Sequence, residues 1–322
     1  MNEFIRYSVI IPVFNEEEVI HETYRRLKQV MNQTGEPYEL LFVNDGSRDR
    51  TAAILQAYSE KDPAIKLINF SRNFGHQIAI TAGMDYASGA AVIVIDADLQ
   101  DPPELILEMI KKWKEGFDVV YAKRTERKGE TFFKKQTARL FYRILRASTD
   151  IAIPVDTGDF RLMDREVCNV MCRMTEKNRF VRGLVSWVGF RQTSVEYVRD
   201  ERAAGETKYP LKKMLKLSLD GLTSFSLKPL KLASYLGGTL SLAGVLYMLI
   251  IFYMKLFTDT AVAGWNVVAM IQLLVSGVML IVLGVIGEYI GRVYDEAKGR
   301  PLYIVSDCHG VKKKERGIRH VI

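Results

Sequence analysis

Short apolar runs alternate with amphipathic stretches through the first third of the chain. Four runs are rich in Val, Ile and Leu, as expected of buried strands: 8–13, 38–43, 66–70 and 92–95. Three stretches between them carry apolar residues at helical spacing: 17–31, 50–61 and 76–86. Strands that alternate with helices predict an α/β fold of Rossmann-like type, with a mostly parallel sheet in three layers.

Two longer apolar stretches follow in the last third of the chain. The spans 232–257 and 265–286 are each long enough to cross a bilayer as a helix. The stretch 209–230 mixes lysines with leucines, which is typical of helices in the membrane interface. An ordinary amphipathic helix on the surface of the domain is the alternative for this stretch. Basic residues flank the apolar hairpin on both sides, so we expect both of its ends in the cytosol.

These patterns divide the chain into four parts. They are a cytosolic α/β domain (1–208), amphipathic interface helices (209–230), a two-helix transmembrane hairpin (231–290) and a basic cytosolic tail (291–322). The first residues contain acids and no cleavable apolar core, so no signal peptide is predicted. The expected location is therefore a cell membrane. Pairs of small residues at helical spacing would permit close packing of the apolar helices in a homo-oligomer.

Charge and cysteine content narrow the picture further. The net charge is +7 at pH 7, and the basic residues cluster next to the apolar spans, so the expected partner is a membrane surface and not nucleic acid. The three cysteines, Cys168, Cys172 and Cys308, form neither a disulfide framework nor a zinc motif. The helical spacing of Cys168 and Cys172 indicates reduced, structural thiols.

Acidic side chains follow the fourth predicted strand. Asp96 and Asp98 come two residues apart, so in an extended segment both carboxylates would point the same way. Oxygen ligands of this kind suit Mg²⁺ or Mn²⁺, which usually share them with phosphate. The alternative is a solvated turn that caps the next helix. The polar segments 12–16 and 43–49 follow two other strands at the same edge of the sheet, where ligands bind in parallel α/β folds, and this convergence favours a site.

Phosphate-binding glycine loops are missing from the sequence. No GxGxxG follows the first strand and no Walker A motif occurs, so metal and basic side chains would have to hold phosphate. Basic residues are frequent after the predicted strand at 118–121, where a solvated helix face is the alternative. The segment 156–161 places two acids and a glycine close together and is predicted to form a turn.

Four motifs together resemble the family 2 glycosyltransferases with a GT-A fold. The closer resemblance is to the polyprenyl-phosphate glycosyltransferases, the dolichol-phosphate mannose synthase-like enzymes and their bacterial undecaprenyl-phosphate branch, and it extends to the C-terminal hairpin. The motifs are Pro12-Val13-Phe14-Asn15-Glu16, Asn44-Asp45-Gly46-Ser47, Asp96-Ala97-Asp98-Leu99-Gln100-Asp101-Pro102-Pro103 and Gly158-Asp159-Phe160-Arg161.

The resemblance implies roles for individual residues. The implied nucleoside pocket consists of Pro12, Phe14, Glu16, Val43 and Asp45. Asp96 and Ala97 would lie near the ribose, and the implied ligands of Mg²⁺ or Mn²⁺ are Asp96, Asp98 and Gln100. Arg202 and Lys208 match a basic pair that contacts phosphate, and Arg124 matches an arginine near the acceptor phosphate. The implied catalytic residues are Asp98, Asp156 and Asp159, and whether Asp156 or Asp159 orients the sugar or the acceptor stays open.

The resemblance further implies an inverting transfer of a sugar from a nucleotide sugar to undecaprenyl phosphate. By analogy the donor is a UDP-sugar. The reaction would take place at the cytosolic membrane face and supply sugar for glycosylation of the cell envelope. Two alternatives remain at this stage. One is transfer to another lipid hydroxyl such as that of diacylglycerol, which would need a committed general base. The other is a non-catalytic membrane protein that binds nucleotide sugars.

Overall fold

The computed structural model describes residues 4–126, 157–198, 228–257 and 265–311. The chain divides into two compact units, Met1–Ser218 together with Arg300–Ile322, and Leu219–Gly299. The first unit therefore contains residues from both ends of the sequence. The division into four parts expected from the sequence stays a prediction, since residues 209–227 of the expected interface stretch 209–230 lie outside the described residues.

The described part of the first unit forms a mixed sheet with helices packed on it. The strands are β1 (Tyr7–Val13), β2 (Tyr38–Asn44), β3 (Ile65–Phe70), β4 (Ala91–Val94), β5 (Val119–Glu126), β6 (Thr157–Asp164), β7 (Gln192–Val198) and β8 (Val305–His309). The helices are α1 (Ile20–Asn32), α2 (Thr51–Ser59), α3 (His76–Tyr86), α4 (Leu105–Lys114), α5 (Arg165–Arg173) and α6 (Val181–Trp187). Cys168 and Cys172 both lie in α5 as free thiols, as expected.

The strand order across the sheet is β7-β5-β6-β4-β1-β2-β3-β8. Strand β1 pairs in parallel with β2 and β4, and β2 pairs in parallel with β3, which confirms the α/β class with a mostly parallel core. All residues of β1 and β4 are buried, as expected of strands covered on both faces. The four predicted strands are confirmed with bounds shifted by one residue.

Residues 157–161 of the segment predicted as a turn at 156–161 are instead the first part of β6, so the prediction is wrong for them, and Asp156 lies outside the described residues. Strand β6 lies between β4 and β5 and is antiparallel to both. Its residues from Thr157 to Met163 are buried. Gly and Asp are poor strand formers, but a central position in the sheet outweighs that local preference.

Asp96 and Asp98 follow the fourth strand as predicted, but they do not lie in an extended segment. Strand β4 ends at Val94, and both acids occupy the turn that follows it. Leu99 in this turn has a φ of 56°, a left-handed conformation that side chains other than glycine rarely adopt. The turn, and not strand alternation, therefore sets the directions of the two carboxylates.

The second unit contains two long helices, α7 (Lys228–Phe257) and α8 (Trp265–Ala297), which contact each other. Each contains a segment long and apolar enough to span a membrane, Tyr235–Met254 and Leu274–Ala297, and neither segment is buried within the structure. Large apolar side chains such as Leu242 and Ile281 are more than half exposed, which is typical of a surface that meets lipid or another protein. Helix α8 extends beyond the predicted end at residue 286.

Candidate functional site

The turn after β1 and the loop after β2 are joined by hydrogen bonds at the carboxyl edge of the sheet. The Asn15 backbone N–H donates to Ser47 Oγ at 3.0 Å, and Asn15 Oδ1 accepts from the Arg48 N–H at 2.8 Å. The Glu16 N–H donates to Thr51 Oγ1 at 2.9 Å. Asn15 has a φ of 54°, which asparagine tolerates better than most residues. The two loops form one continuous rim, as the sequence predicted.

Asp45 follows β2 and is 3% exposed. Its Oδ1 accepts from the Phe74 N–H at 2.6 Å and its Oδ2 from the Gly75 N–H at 2.9 Å. Burial raises the pKa of Asp45, and the two backbone donors oppose that rise. Asp45 therefore holds the loop between β3 and α3 in place, a role that sequence reasoning missed.

The other residues of the implied nucleoside pocket lie close along the same rim. Pro12 of β1 and Val43 of β2 are paired in register and buried, whereas Phe14 and Glu16 are partly exposed in the turn after β1. Ala97, in the turn after β4, is buried, and its carbonyl accepts from Thr23 Oγ1 at 2.8 Å. Contact of these residues with a nucleoside stays a prediction.

His76, the first residue of α3, lies between two acids, Asp96 in the turn after β4 and Asp159 of β6. Its Nε2 is 3.4 Å from Asp96 Oδ1 and 3.4 Å from Asp159 Oδ2. Burial opposes the charged imidazolium, but Asp96 and Asp159 outweigh it and raise the pKa of His76 to about 9. Sequence reasoning did not single out His76, although its position just after β3 places it on the same rim.

Asp159 of β6 is the most heavily engaged carboxylate in the site. Gln77 Nε2 donates to its Oδ2 at 3.0 Å, and Arg182 Nε lies 3.2 Å from its Oδ1. Burial would raise the pKa of Asp159, but Arg182 and His76 outweigh burial and hold that pKa well below its usual range. Asp159 is therefore a fixed anion and a poor proton acceptor. Sequence reasoning did not identify Gln77 of α3 or Arg182 of α6, because only the folded chain brings them to Asp159.

A second charged group lies beside Asp159 and contains Arg124 of β5. Arg124 Nε donates to the Tyr197 hydroxyl at 3.0 Å, and its guanidinium is 3.6 Å from Asp101 Oδ1. The Tyr197 hydroxyl in turn donates to Asp101. Gly158 leaves room for this guanidinium, because a Cβ at that position would lie 2.7 Å from an Arg124 nitrogen. Arg124 is thus fixed next to β6, and its contact with an acceptor phosphate stays a prediction.

Asp96 and Asp98 fit a hard divalent cation that shares its coordination with a ligand. Among the described residues, Asp96 Oδ1 is buried and has no hydrogen-bond donor. Burial raises the pKa of Asp96 to about 6, although His76 opposes that rise. Asp98 Oδ1 accepts from the Gln100 N–H at 3.2 Å.

The described residues contain no group of three His, Cys, Asp or Glu side chains placed to hold a metal ion. Mg²⁺ is commonly held by one or two carboxylates, with water and substrate phosphates completing its shell, so the donor set present here is compatible with it.

Three residues implied by the resemblance lie outside the described residues: Asp156, Arg202 and Lys208. The basic residues between 127 and 143 lie outside them as well. Of the implied catalytic residues, Asp98 and Asp159 are described, in the turn after β4 and in the neighbouring strand β6.

Comparisons with known proteins agree with the predicted resemblance. The sequence profile of the family described as glycosyl transferase family 2 matches residues 8–171. The uncharacterised glycosyltransferase YkcC of Bacillus subtilis (strain 168) is 71% identical over 314 residues, 98% of this chain and 97% of that protein. The SfII prophage-derived bactoprenol glucosyl transferase of Shigella flexneri is 42% identical over 305 residues, 95% of this chain and 99% of that protein.

Among solved structures, a similar one is the crystal structure of glucosyl-3-phosphoglycerate synthase from Mycobacterium tuberculosis in complex with Mn²⁺, UDP and phosphoglyceric acid. It is 20% identical, with a TM-score of 0.46, and the match covers 67% of this chain and 75% of that chain.

Proposed function

The chain belongs to glycosyl transferase family 2, and from this premise we propose that it transfers a sugar from a nucleotide sugar to a polyprenyl phosphate. It is a glycosyltransferase with the GT-A fold, so the recognition made from the sequence motifs is confirmed. The proposal adds that the donor is a UDP-sugar, that the acceptor is undecaprenyl phosphate, and that the reaction takes place at the cytosolic face of a cell membrane.

One observation carries the proposal of a lipid acceptor. The relative named a bactoprenol glucosyl transferase matches 95% of this chain at 42% identity, so the match includes the two apolar helices as well as the sheet. A match confined to residues 8–171 would have supported transfer of a sugar without indicating where the acceptor resides. The two helices, α7 and α8, provide a means to hold the enzyme where a lipid phosphate is found.

The state of Asp159 supports a phosphate acceptor over a hydroxyl acceptor. A sugar or glycerol hydroxyl needs a base to remove its proton, whereas a phosphate monoester is already ionised near neutral pH. Asp159 is engaged by Gln77, His76 and Arg182, and its low pKa makes it a weak base. This arrangement suits a reaction that transfers no proton.

The proposed step is a single inverting displacement. An oxygen of the polyprenyl phosphate forms a bond to the anomeric carbon, and the bond from that carbon to the diphosphate of the donor breaks, releasing UDP. Asp96, Asp98 and Gln100 would hold Mg²⁺ or Mn²⁺, which as a Lewis acid neutralises the leaving diphosphate. Arg124 would hold the acceptor phosphate at the reacting carbon, since positioning supplies much of the acceleration in such a transfer.

Asp159 and His76 have the supporting role of fixing the rim. His76 bridges Asp96 and Asp159 and so links the turn after β4 to strand β6. Because the donor diphosphate and the acceptor phosphate are both anionic, Arg124 and Arg182 reduce the repulsion between them. In this proposal Asp159 acts through the residues that it orients and accepts no proton.

The test uses the full-length protein purified in detergent and returned to lipid vesicles. It is incubated with Mn²⁺ or Mg²⁺ and a panel of UDP- and GDP-sugars, beginning with UDP-glucose, and with either undecaprenyl phosphate or diacylglycerol. Lipid products are identified by mass. We expect a glycosylated undecaprenyl phosphate and no glycosylated diacylglycerol.

Matched variants connect the product to the site. Asp98→Asn should abolish transfer while the protein stays folded. Asp62→Asn is the control, because Asp62 also carries a partly buried carboxylate, ion-paired with Lys28 at 2.5 Å, but lies outside the rim. Near wild-type turnover in Asp98→Asn would contradict the metal role. Product on diacylglycerol alone would replace the proposed acceptor, and nucleotide binding without product on either lipid would favour a non-catalytic binding protein.

A further inference from the structure

The segment that follows α8 returns to the first unit and extends its sheet. Strand β8 pairs antiparallel with β3, with Leu67 opposite His309 and Asn69 opposite Asp307. In sequence, this segment is separated from the rest of the sheet by both apolar helices. The basic tail was expected from the sequence only as a cytosolic extension, so its strand is a feature that the tertiary structure adds.

Asp307 of β8 begins a chain of side-chain hydrogen bonds that crosses the carboxyl ends of two strands. Its Oδ2 accepts from Asn69 Nδ2 at 2.7 Å, and Asn69 Oδ1 accepts from Asn44 Nδ2 at 2.8 Å. Asn44 Oδ1 then accepts from the Ser47 N–H at 3.0 Å. Asn44 is 3% exposed. The chain of bonds therefore ends in the loop after β2, which carries Asp45.

Tyr303 and Ile304 contact the loop between β3 and α3 or the elements that flank it. Its ring stacks on Phe70 at a centroid distance of 5.2 Å, and its hydroxyl donates to Asp85 Oδ2 in α3 at 2.9 Å. The Ser71 N–H donates to the Ile304 carbonyl at 3.0 Å. Tyr303 is 8% exposed. The residues after α8 thus contact both the strand before this loop and the helix after it.

The loop held in this way, 71–75, donates both backbone hydrogen bonds to Asp45 and leads directly into His76. We infer that the segment 303–307 is a positioning element of the donor side of the site, and that Tyr303 and Asp307 are positioning residues for the nucleotide. The inference rests on the proposed function and on the predicted nucleoside pocket that includes Asp45. The proposed role of this segment concerns the nucleotide donor and not the acceptor lipid.

Substitutions in this segment should change the binding of the nucleotide donor and leave the binding of the acceptor lipid unchanged. Asp307→Ala removes the oxygen that accepts the hydrogen bond from Asn69 Nδ2. The series of hydrogen bonds that orients the Ser47 N–H then loses its first member. Tyr303→Phe removes only the hydroxyl that binds Asp85. We expect each variant to raise the KM for the UDP-sugar and the Kd for UDP by about threefold to tenfold, as the loss of one hydrogen bond does. The KM for undecaprenyl phosphate and kcat should stay within about twofold of wild type. Asp307→Asn keeps an oxygen acceptor and should restore donor affinity.

A readout without any ligand separates positioning from general destabilisation. Amide hydrogen exchange should accelerate at Phe74 and Gly75 in Asp307→Ala, because their acceptor Asp45 loses its support. The control is Asp62→Ala, which removes a carboxylate bound by Lys28 and the Ala64 N–H. This variant should lower the melting temperature of the unit through contacts that lie away from the rim. Its donor KM and its exchange at Phe74 and Gly75 should not change.

Unchanged donor KM, UDP Kd and exchange rates in Asp307→Ala and Tyr303→Phe would overturn the inference, as would equal rises in donor and acceptor KM. If the wild-type full-length protein binds neither UDP nor GDP, the proposed function fails. The exchange rates at Phe74 and Gly75 would then still decide whether this segment holds the loop.

Discussion

Gly158→Ala tests whether Arg124 can keep its position only when residue 158 of β6 has no side chain. Gly158 lies in the buried part of β6, and its added Cβ would lie 2.7 Å from an Arg124 nitrogen. Ordinary contact begins at 3.4 Å, so the guanidinium must move by roughly the difference. Two contacts restrict this movement: Arg124 Nε donates to the Tyr197 hydroxyl at 3.0 Å, and the guanidinium lies 3.6 Å from Asp101 Oδ1.

The expected cost follows from these contacts. Overpacking a buried site costs about 1–3 kcal/mol, and loss of a hydrogen bond to a charged group costs about 1.5–3 kcal/mol. Since the Arg124 side chain is 15% exposed and can relax partly toward solvent, we expect a loss of about 2 kcal/mol in the free energy of unfolding. If Arg124 holds the acceptor phosphate, the KM for undecaprenyl phosphate should rise while the Kd for UDP stays unchanged.

A double-mutant cycle with Arg124→Ala provides the decisive measurement. Removing the guanidinium removes the clash, so Gly158→Ala should cost at least 1 kcal/mol less in that background by denaturant unfolding. Gly83→Ala is the control, because its Cβ would meet Ile10 instead and its cost should add to that of Arg124→Ala. Additivity of Gly158→Ala with Arg124→Ala within about 0.5 kcal/mol would show that the added methyl group does not clash with Arg124.

Three further predictions concern charge and backbone. Asp159→Asn removes one of the two acids beside His76, so the pKa of His76 should fall below about 9. NMR titration of the ring protons of His76 measures this pKa, and an unchanged value would mean that Asp96 alone raises it. Burial would raise the pKa of Glu39, but Lys66 and two serines lower it below its usual value, so its stabilisation is present above about pH 4.5 and is lost as the pH falls further. Glu39→Gln should therefore cost about 3 kcal/mol at pH 7 and less below pH 4.5, and a pH-independent difference in unfolding free energy would contradict this. Asn15→Ala should destabilise the rim by about 1 kcal/mol more than Asn15→Gly, because only glycine accepts a φ of 54° without strain; equal melting temperatures would argue against that account.

The elements that sequence reasoning found are those that local patterns specify. The apolar runs of β1 to β4 and the amphipathic repeats of α1 to α3 predicted the parallel half of the sheet, with strand bounds within one residue. Chain order alone then placed the loops after β1, β2 and β4 at one edge, since parallel strands end on the same side. That edge is where Asn15, Asp45 and Asp96 are found.

Strand β6 was misread as a turn because the strands that it pairs with are not adjacent to it in sequence. The segment 157–164 contains residues that favour turns in isolation, but it pairs with β4 and β5, which are distant in sequence. Such pairing depends on what the neighbouring strands offer and not on local preference. Because β6 was missed, the contacts of Asp159 with Gln77 and Arg182 were missed with it.

Hydrophobic periodicity and short motifs are local properties of the chain, so the amino-acid sequence was enough to identify the fold class, the family and the acids at the strand ends. Three contacts became visible only in the folded chain: His76 bridges Asp96 and Asp159, Arg124 lies against Gly158, and β8 pairs with β3. These are contacts between residues far apart in sequence, and their geometry is set by strand order and register, which no local pattern encodes.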